Sequence, residues 1–153
     1  MKNMESKAYD DKDLRILDAL KKDGRKPTSK LSKELGIPRV TIHQRINKMI
    51  SNGIIKKFTV RPDYGKLKKP VTAFILISFV SNSNISQREL ASKIALMNGV
   101  EEVFIISGDW DLILKVRAAS AEDVGSIIID KLRTFEGVGK TTTCISFSAI
   151  KEE

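Results

Sequence analysis

Val40, His43, Gln44, Asn47, Lys48 and Ser51 recur at spacings of three and four, which sets them along one side of a helix. Arg39 and Thr41 stand at the head of the same row. The row contains amide, imidazole, hydroxyl and cationic groups and no carboxylate, so it approaches phosphates without repulsion. Glutamine and asparagine can bond adenine in bidentate fashion, arginine can bond guanine, and lysine suits phosphate. Double-stranded DNA is the partner this chemistry serves. The charge distribution agrees. Residues 1–69 hold 19 Lys/Arg against 8 Asp/Glu, a net of +11, whereas residues 70–153 hold 8 against 11, a net of −3. A basic excess confined to the half that carries the row favours a polyanion over mere solubility.

Other chemistry finds less support. Gly137-Val138-Gly139-Lys140-Thr141-Thr142 resembles the end of a phosphate-binding loop, but Thr134 stands where the pattern needs its first glycine. A predicted helix precedes the segment and a strand follows, the reverse of the order that aims a helix N-terminus at phosphates. Only twelve residues follow Thr141, too few for the rest of such a site. Asp109 and Asp111 flank Trp110 without a recognisable base, nucleophile or metal partner, and isolated loop carboxylates also occur as plain turn residues. One histidine and one cysteine give no metal cluster and no internal disulfide, and Cys144 reads as a small packed strand residue. Neither an enzyme nor a cofactor is expected.

The row needs a scaffold, and Thr28 to Gly53 supplies one. Leu31 and Leu35 lie one turn apart in a first helix, with Thr28 as its expected cap. Gly36 stops that helix, and Pro38 opens the next with a φ suited to a first helical turn. Ile42, Ile46 and Met49 make the buried stripe opposite the polar row, and Gly53 ends the helix. A preceding helix from about Asp11 to Lys22, capped by Asp10 or Asp11, adds Leu14, Leu17 and Leu20 to the core. Ile54 to Val60 reads as a short strand carrying Lys56 and Lys57, where a winged helix-turn-helix has its wing. The expected organisation is a disordered 1–10, a DNA-binding domain over 11–60 and a Pro- and Gly-containing linker over 61–70. A second domain follows over 71–153.

In that second domain strands are expected at Val71–Val80, Val100–Ser107, Leu112–Val116 and Thr142–Ile150, with helices at Gln87–Met97 and Ala121–Phe135. Ser86-x-x-Glu89 and Ser120-x-x-Asp123 cap the two helices. The order βαββαβ is that of a ferredoxin-like sandwich, so the chain as a whole is α+β. Phe74-Ile75-Leu76-Ile77, Val103-Phe104-Ile105-Ile106 and Leu112-Ile113-Leu114 do not alternate in polarity. Both faces of the sheet therefore want cover, while the helices can shield one; a second copy would shield the other in a symmetric dimer.

Together these marks resemble the Lrp/AsnC family of feast/famine regulators over nearly the whole chain, Asp11 to Lys151. They are Asp13-x-x-Ile16-Leu17, Asp23-Gly24-Arg25, Leu35-Gly36-Ile37, Arg45-Ile46 and Gly53-Ile54-Ile55, then Gly108-Asp109-Trp110-Asp111 and Gly137-Val138 with Thr141 and Thr143. The resemblance implies a winged helix-turn-helix joined to a ferredoxin-like effector domain, and dimers that in many members assemble into octamers. It also implies amino-acid ligands, held near the turn from Gly108 to Asp111 at contacts between dimers. On that footing main-chain N–H groups at Gly108 would take a ligand carboxylate, and Asp109 or Asp111 an ammonium group. Thr141 or Thr143 would add hydroxyl contacts, and Trp110 would line the site or pack between dimers. Two positions depart from the family's pattern: Pro38 replaces a capping serine, and Lys68 stands where a glycine is common.

The leading expectation is a sequence-specific transcriptional regulator tuned by an amino acid. The alternative is an architectural, nucleoid-type DNA-binding protein without an effector. The polar N-terminus lacks the apolar core of a signal peptide, and the apolar run Ala73–Val80 falls short of the roughly 20 residues of a membrane span. A cytoplasmic protein with no membrane partner is expected.

Overall fold

The computed structural model describes residues 9–152, so most of the segment expected to be disordered lies outside the described residues. The chain divides between Arg61 and Pro62 into two compact units.

The first unit holds three helices, α1 (Asp11–Lys22), α2 (Thr28–Leu35) and α3 (Arg39–Ser51). Asp10 caps α1 by accepting the Asp13 N–H at 3.0 Å, and Asp13 returns the bond to the Asp10 N–H at 2.9 Å. Ile16, Ala19 and Leu20 are buried, with Leu17 half-buried, but Leu14 faces solvent. The expected core set is corrected there. Leu14 and Ile16 lie about 200° apart around a helix, so only one can point inward. Ile16 packs with Leu31, Ile37, Ile42, Met49 and Ile55 in one core. Residues 54–60 form no strand. No strand among the described residues of this chain pairs with them.

In the second unit β1 (Val71–Phe79), β2 (Val100–Ile105), β3 (Leu112–Ala118) and β4 (Val138–Ile145) form an antiparallel sheet in the order β2-β3-β1-β4. Helices α4 (Gln87–Ala95) and α5 (Ala121–Ser126) connect its strands. Ser86 caps α4 in the expected box with Glu89, and Ser120 caps α5 through the Asp123 N–H. The expected single helix Ala121–Phe135 is broken: α5 passes into a π turn at Ile127–Lys131 and a 3₁₀ turn at Leu132–Thr134. The β-branched run Ile127-Ile128-Ile129 crowds a regular helix, and the changed pitch puts Ile127, Ile128 and Leu132 all inside. The strand expected at Thr142–Ile150 is Val138–Ile145 instead. Val138 pairs with Phe79 and Ile145 with Ala73, close to the residue where β1 begins, so residues 147–150 have no strand to join.

Strand polarity does not alternate, yet burial does. Ala73, Ile75, Ile77, Leu112, Leu114 and Val116 are buried in one core with Leu90, Ile94 and Leu132. Phe74, Leu76, Phe104 and Ile113 fall on the opposite face, where Phe74 is 38% and Phe104 52% exposed. Cys144, paired with Phe74, shares that open face and is exposed rather than packed as expected, because β4 is an edge strand whose Thr143–Ile145 end is uncovered. At the Thr72 end the face is closed by Arg117, which bonds Thr72, Glu101 and Glu152 and lies 4.3 Å from the centre of the Tyr64 ring.

Tyr64 belongs to a segment expected to be a linker. Residues 63–69 instead form a hydrogen-bonded turn: Asp63 accepts the N–H groups of Lys66 and Leu67, Gly65 accepts that of Lys68, and Tyr64 that of Lys69. Lys68 sits at φ 56°, the one non-glycine residue with positive φ among those described.

Candidate functional site

Gly36 takes the left-handed conformation (φ 65°, ψ 29°) that breaks α2 from α3, and its N–H donates to Ser32 O. Pro38 is the N-cap of α3 rather than its first residue, accepting the Ile42 N–H through its carbonyl at 3.0 Å. Thr28 does not cap α2 through its side chain. It is the first helical residue behind Pro27, and its hydroxyl accepts Nε–H of Arg39 at 3.2 Å. That bond steadies the root of the row while Arg39 stays exposed.

Along α3, Arg39, Val40, His43, Gln44, Asn47, Lys48 and Ser51 line the outer side, with Thr41 half-buried and Ile42 and Met49 buried. His43 Nδ1 and Asn47 Nδ2 lie 3.4 Å apart, a contact between successive turns. Gln44 and Lys48 border a shallow depression completed by Tyr9, Asp10, Asp13, Thr41 and Arg45. Lys56 and Lys57 are exposed beyond Ile55, whose N–H returns to Met49 O at 3.1 Å.

Arg45 was legible only as a family mark, and its task is to aim this helix. Its Nη1 reaches both Asp10 oxygens at 2.8 Å and Asp13 Oδ1 at 2.9 Å, tying α3 to the start of α1. Asp13 is 4% exposed, so the pair is partly withdrawn from water. Asp13 first, then Asp10, hold the guanidinium in its charged form, raising its pKa. The bond from the Asp13 N–H, then Arg45, lowers the Asp10 carboxyl pKa below its ordinary value. An aspartate inside an apolar stripe was the signal available in the sequence.

The second group of residues lies at one end of the sheet. Gly108 has φ 121° in the loop between β2 and β3. Asp111 is a structural hub there: its N–H donates to Ile77 O at 3.0 Å, its carbonyl accepts Ile106 N–H and Gln87 Nε2, and its Oδ2 accepts the Phe79 N–H at 2.7 Å. The last bond sits where the β1–β4 register shifts between Ile77 and Phe79. Thr141 pairs with Ile77 from the other side of β1 and accepts a hydrogen bond from Arg133 at 3.3 Å. Lys140 Nζ lies 5.6 Å from the centre of the Trp110 ring. Asp111, Trp110 and Thr141 are thus gathered with Lys140, a residue that the sequence pattern sets only in the phosphate-loop look-alike. Asp109 is exposed beside them, and Thr143 lies two residues further along β4, opposite Ile75. Among the described residues no group of three or more His, Cys, Asp or Glu is placed to hold a metal.

A helix-turn-helix unit followed by a βαββαβ sheet defines a class of two-part DNA-binding regulators. Residues 9–56 match the winged helix-turn-helix DNA-binding family and residues 72–153 the Lrp/AsnC ligand binding domain family. An uncharacterised HTH-type transcriptional regulator of Pyrococcus horikoshii is 52% identical over 92% of this chain and 94% of its own. The structure of AsnC from E. coli aligns with a TM-score of 0.82 at 26% identity, covering 95% of this chain and 96% of that one. A transcriptional regulator from Neisseria meningitidis, solved as a complex with L-Met, aligns at 0.88 and 19% identity over 94% of this chain and 93% of that one. The chain belongs to the Lrp/AsnC family of helix-turn-helix transcriptional regulators. Among the described residues no helix is long and apolar enough to cross a membrane.

Proposed function

We propose that this protein is a cytoplasmic, non-enzymatic regulator that reads a specific operator with α3 and adjusts its binding or assembly to an amino acid. The observation that carries the reading is the exposed, carboxylate-free side of α3. Arg39, His43, Gln44 and Asn47 are assigned to base edges; Lys48, Lys56 and Lys57 are assigned to phosphates. A second copy covers the open face around Phe74, Leu76, Phe104 and Ile113, and the resulting two-fold axis pairs two recognition helices with two half-sites.

The effector is assigned to the loop end of the sheet, where Asp109 or Asp111 meets its ammonium group and Thr141 or Thr143 adds a hydroxyl. That the Neisseria relative was solved with L-Met supports an amino-acid ligand. Selecting bound fragments from genomic DNA, with and without each of the twenty amino acids, tests both halves. A short shared motif is expected, with occupancy altered by at least one amino acid. Asp111→Ala is expected to lose that response while still selecting the motif. Fragments without a common motif, together with no calorimetric heat from any amino acid, would instead establish the architectural alternative.

A further inference from the structure

The turn at residues 63–69 carries an unused cationic surface. Lys66, Lys68 and Lys69 are all exposed, and the only carboxylate in the turn is Asp63. Asp63 engages Lys66 loosely at 3.8 Å, with both side chains more than half exposed, a pair worth little in water. The turn is nonetheless ordered. Four backbone N–H groups are tied within it, and Tyr64 fastens it to the sheet through the Arg117 guanidinium stacked 4.3 Å from its ring centre. Lys68 holds a left-handed backbone that strains an L-residue and that a glycine adopts freely. An ordered turn presenting three ammonium groups differs from a flexible charged linker, because its backbone is already fixed and only side-chain freedom is lost on meeting an array of anions.

We propose that Lys66, Lys68 and Lys69 form a second contact on the phosphates of duplex DNA, separate from the recognition helix and from Lys56 and Lys57. Nine residues lead from Lys57 to Lys66, a reach of at most roughly 30 Å. One turn of duplex is about 34 Å, so a site held by the first unit presents backbone within that reach. Contacts of this kind carry no sequence information; they add affinity and salt dependence equally on every sequence.

The proposal rests on the DNA-binding reading, and the experiment separates the two. Binding of a 40-base-pair mixed-sequence duplex is measured across salt concentrations for three full-length proteins. These are the wild type, the triple variant Lys66→Gln/Lys68→Asn/Lys69→Gln, and a charge-matched control Arg88→Gln/Lys93→Gln/Lys131→Gln. Asparagine at 68 tolerates the left-handed backbone, and melting curves confirm that both variants fold. Each phosphate that a lysine no longer neutralises should lower the slope of log K against log salt by about 0.9. The turn variant should therefore fall by roughly 2 to 3, while the control stays at the wild-type value. A turn variant whose slope equals the control's overturns the proposal while leaving DNA binding intact. An unchanged slope on DNA alongside lysine-dependent retention on phosphatidylserine vesicles would overturn it in favour of a membrane surface. A wild type that does not bind the duplex at all overturns both readings.

Discussion

Gln44 illustrates how much rests on one exposed amide. If it pairs with an adenine edge, Gln44→Ala should narrow the ratio of operator to random-DNA affinity by about 1–3 kcal/mol, read from competition binding. An unchanged ratio would remove Gln44 from the reading set. Glu152 makes a different test, because Lys115 and then Arg117 lower its pKa from an ordinary 4.5 to about 2. A depressed carboxylate stabilises the fold above its unfolded pKa and ceases to do so as pH falls through the folded one. Wild type should therefore exceed Glu152→Gln in thermal stability by a constant margin above about pH 5, and the margin should close between there and pH 2. Polar residues on the recognition helix were readable from spacing alone. The partners of Arg45 and Arg117 were not, because each is joined to carboxylates 16 to 35 residues away by a packing that no local pattern encodes.

At the scale of elements, the side-chain caps at Asp10, Ser86 and Ser120 were legible, the Thr28 cap was not, and strand limits were the least legible. Ser86-x-x-Glu89 fixes the start of α4 within four residues of sequence, whereas the extent of β4 depends on where β1 stops. Residues 54–60 show the same dependence: a run of strand-forming residues makes no strand without a partner. The turn at 63–69 was hidden because its signal was a lysine at a position suited to glycine. Lys68→Gly should relieve about 1 kcal/mol of backbone strain, partly offset by greater freedom in the unfolded chain. Denaturant titration is expected to show a stability equal to or slightly above wild type, and a clear decrease would contradict the left-handed geometry. The break in the last helix followed from three successive isoleucines that a count of helical periods treats as ordinary apolar residues.

For the whole molecule, the open sheet face is where the proposed assembly can be tested. Phe74→Glu/Phe104→Glu places two carboxylates on that face without touching the buried core, so the chain should fold yet sediment as a monomer at micromolar concentration. Wild type is expected to sediment as a dimer or larger, and a double variant that does the same would locate the interface elsewhere. The sequence pattern foresaw that a face was bare; the alternating burial of β1 and β3 chose which one, placing Ile77 inside and Leu76 outside. The loop end of the sheet, where the effector is proposed to bind, carries a local marker. The Phe79 N–H is held by the Asp111 carboxylate at a break in strand register, so its protection from solvent deuterium depends on one side chain. An ammonium ligand that draws Asp111 towards itself would unseal that single amide while its neighbours in β1 stay protected. On that proposal Phe79 would act as a built-in isotope clock, its exchange rate reporting occupancy of the loop without a change of sequence.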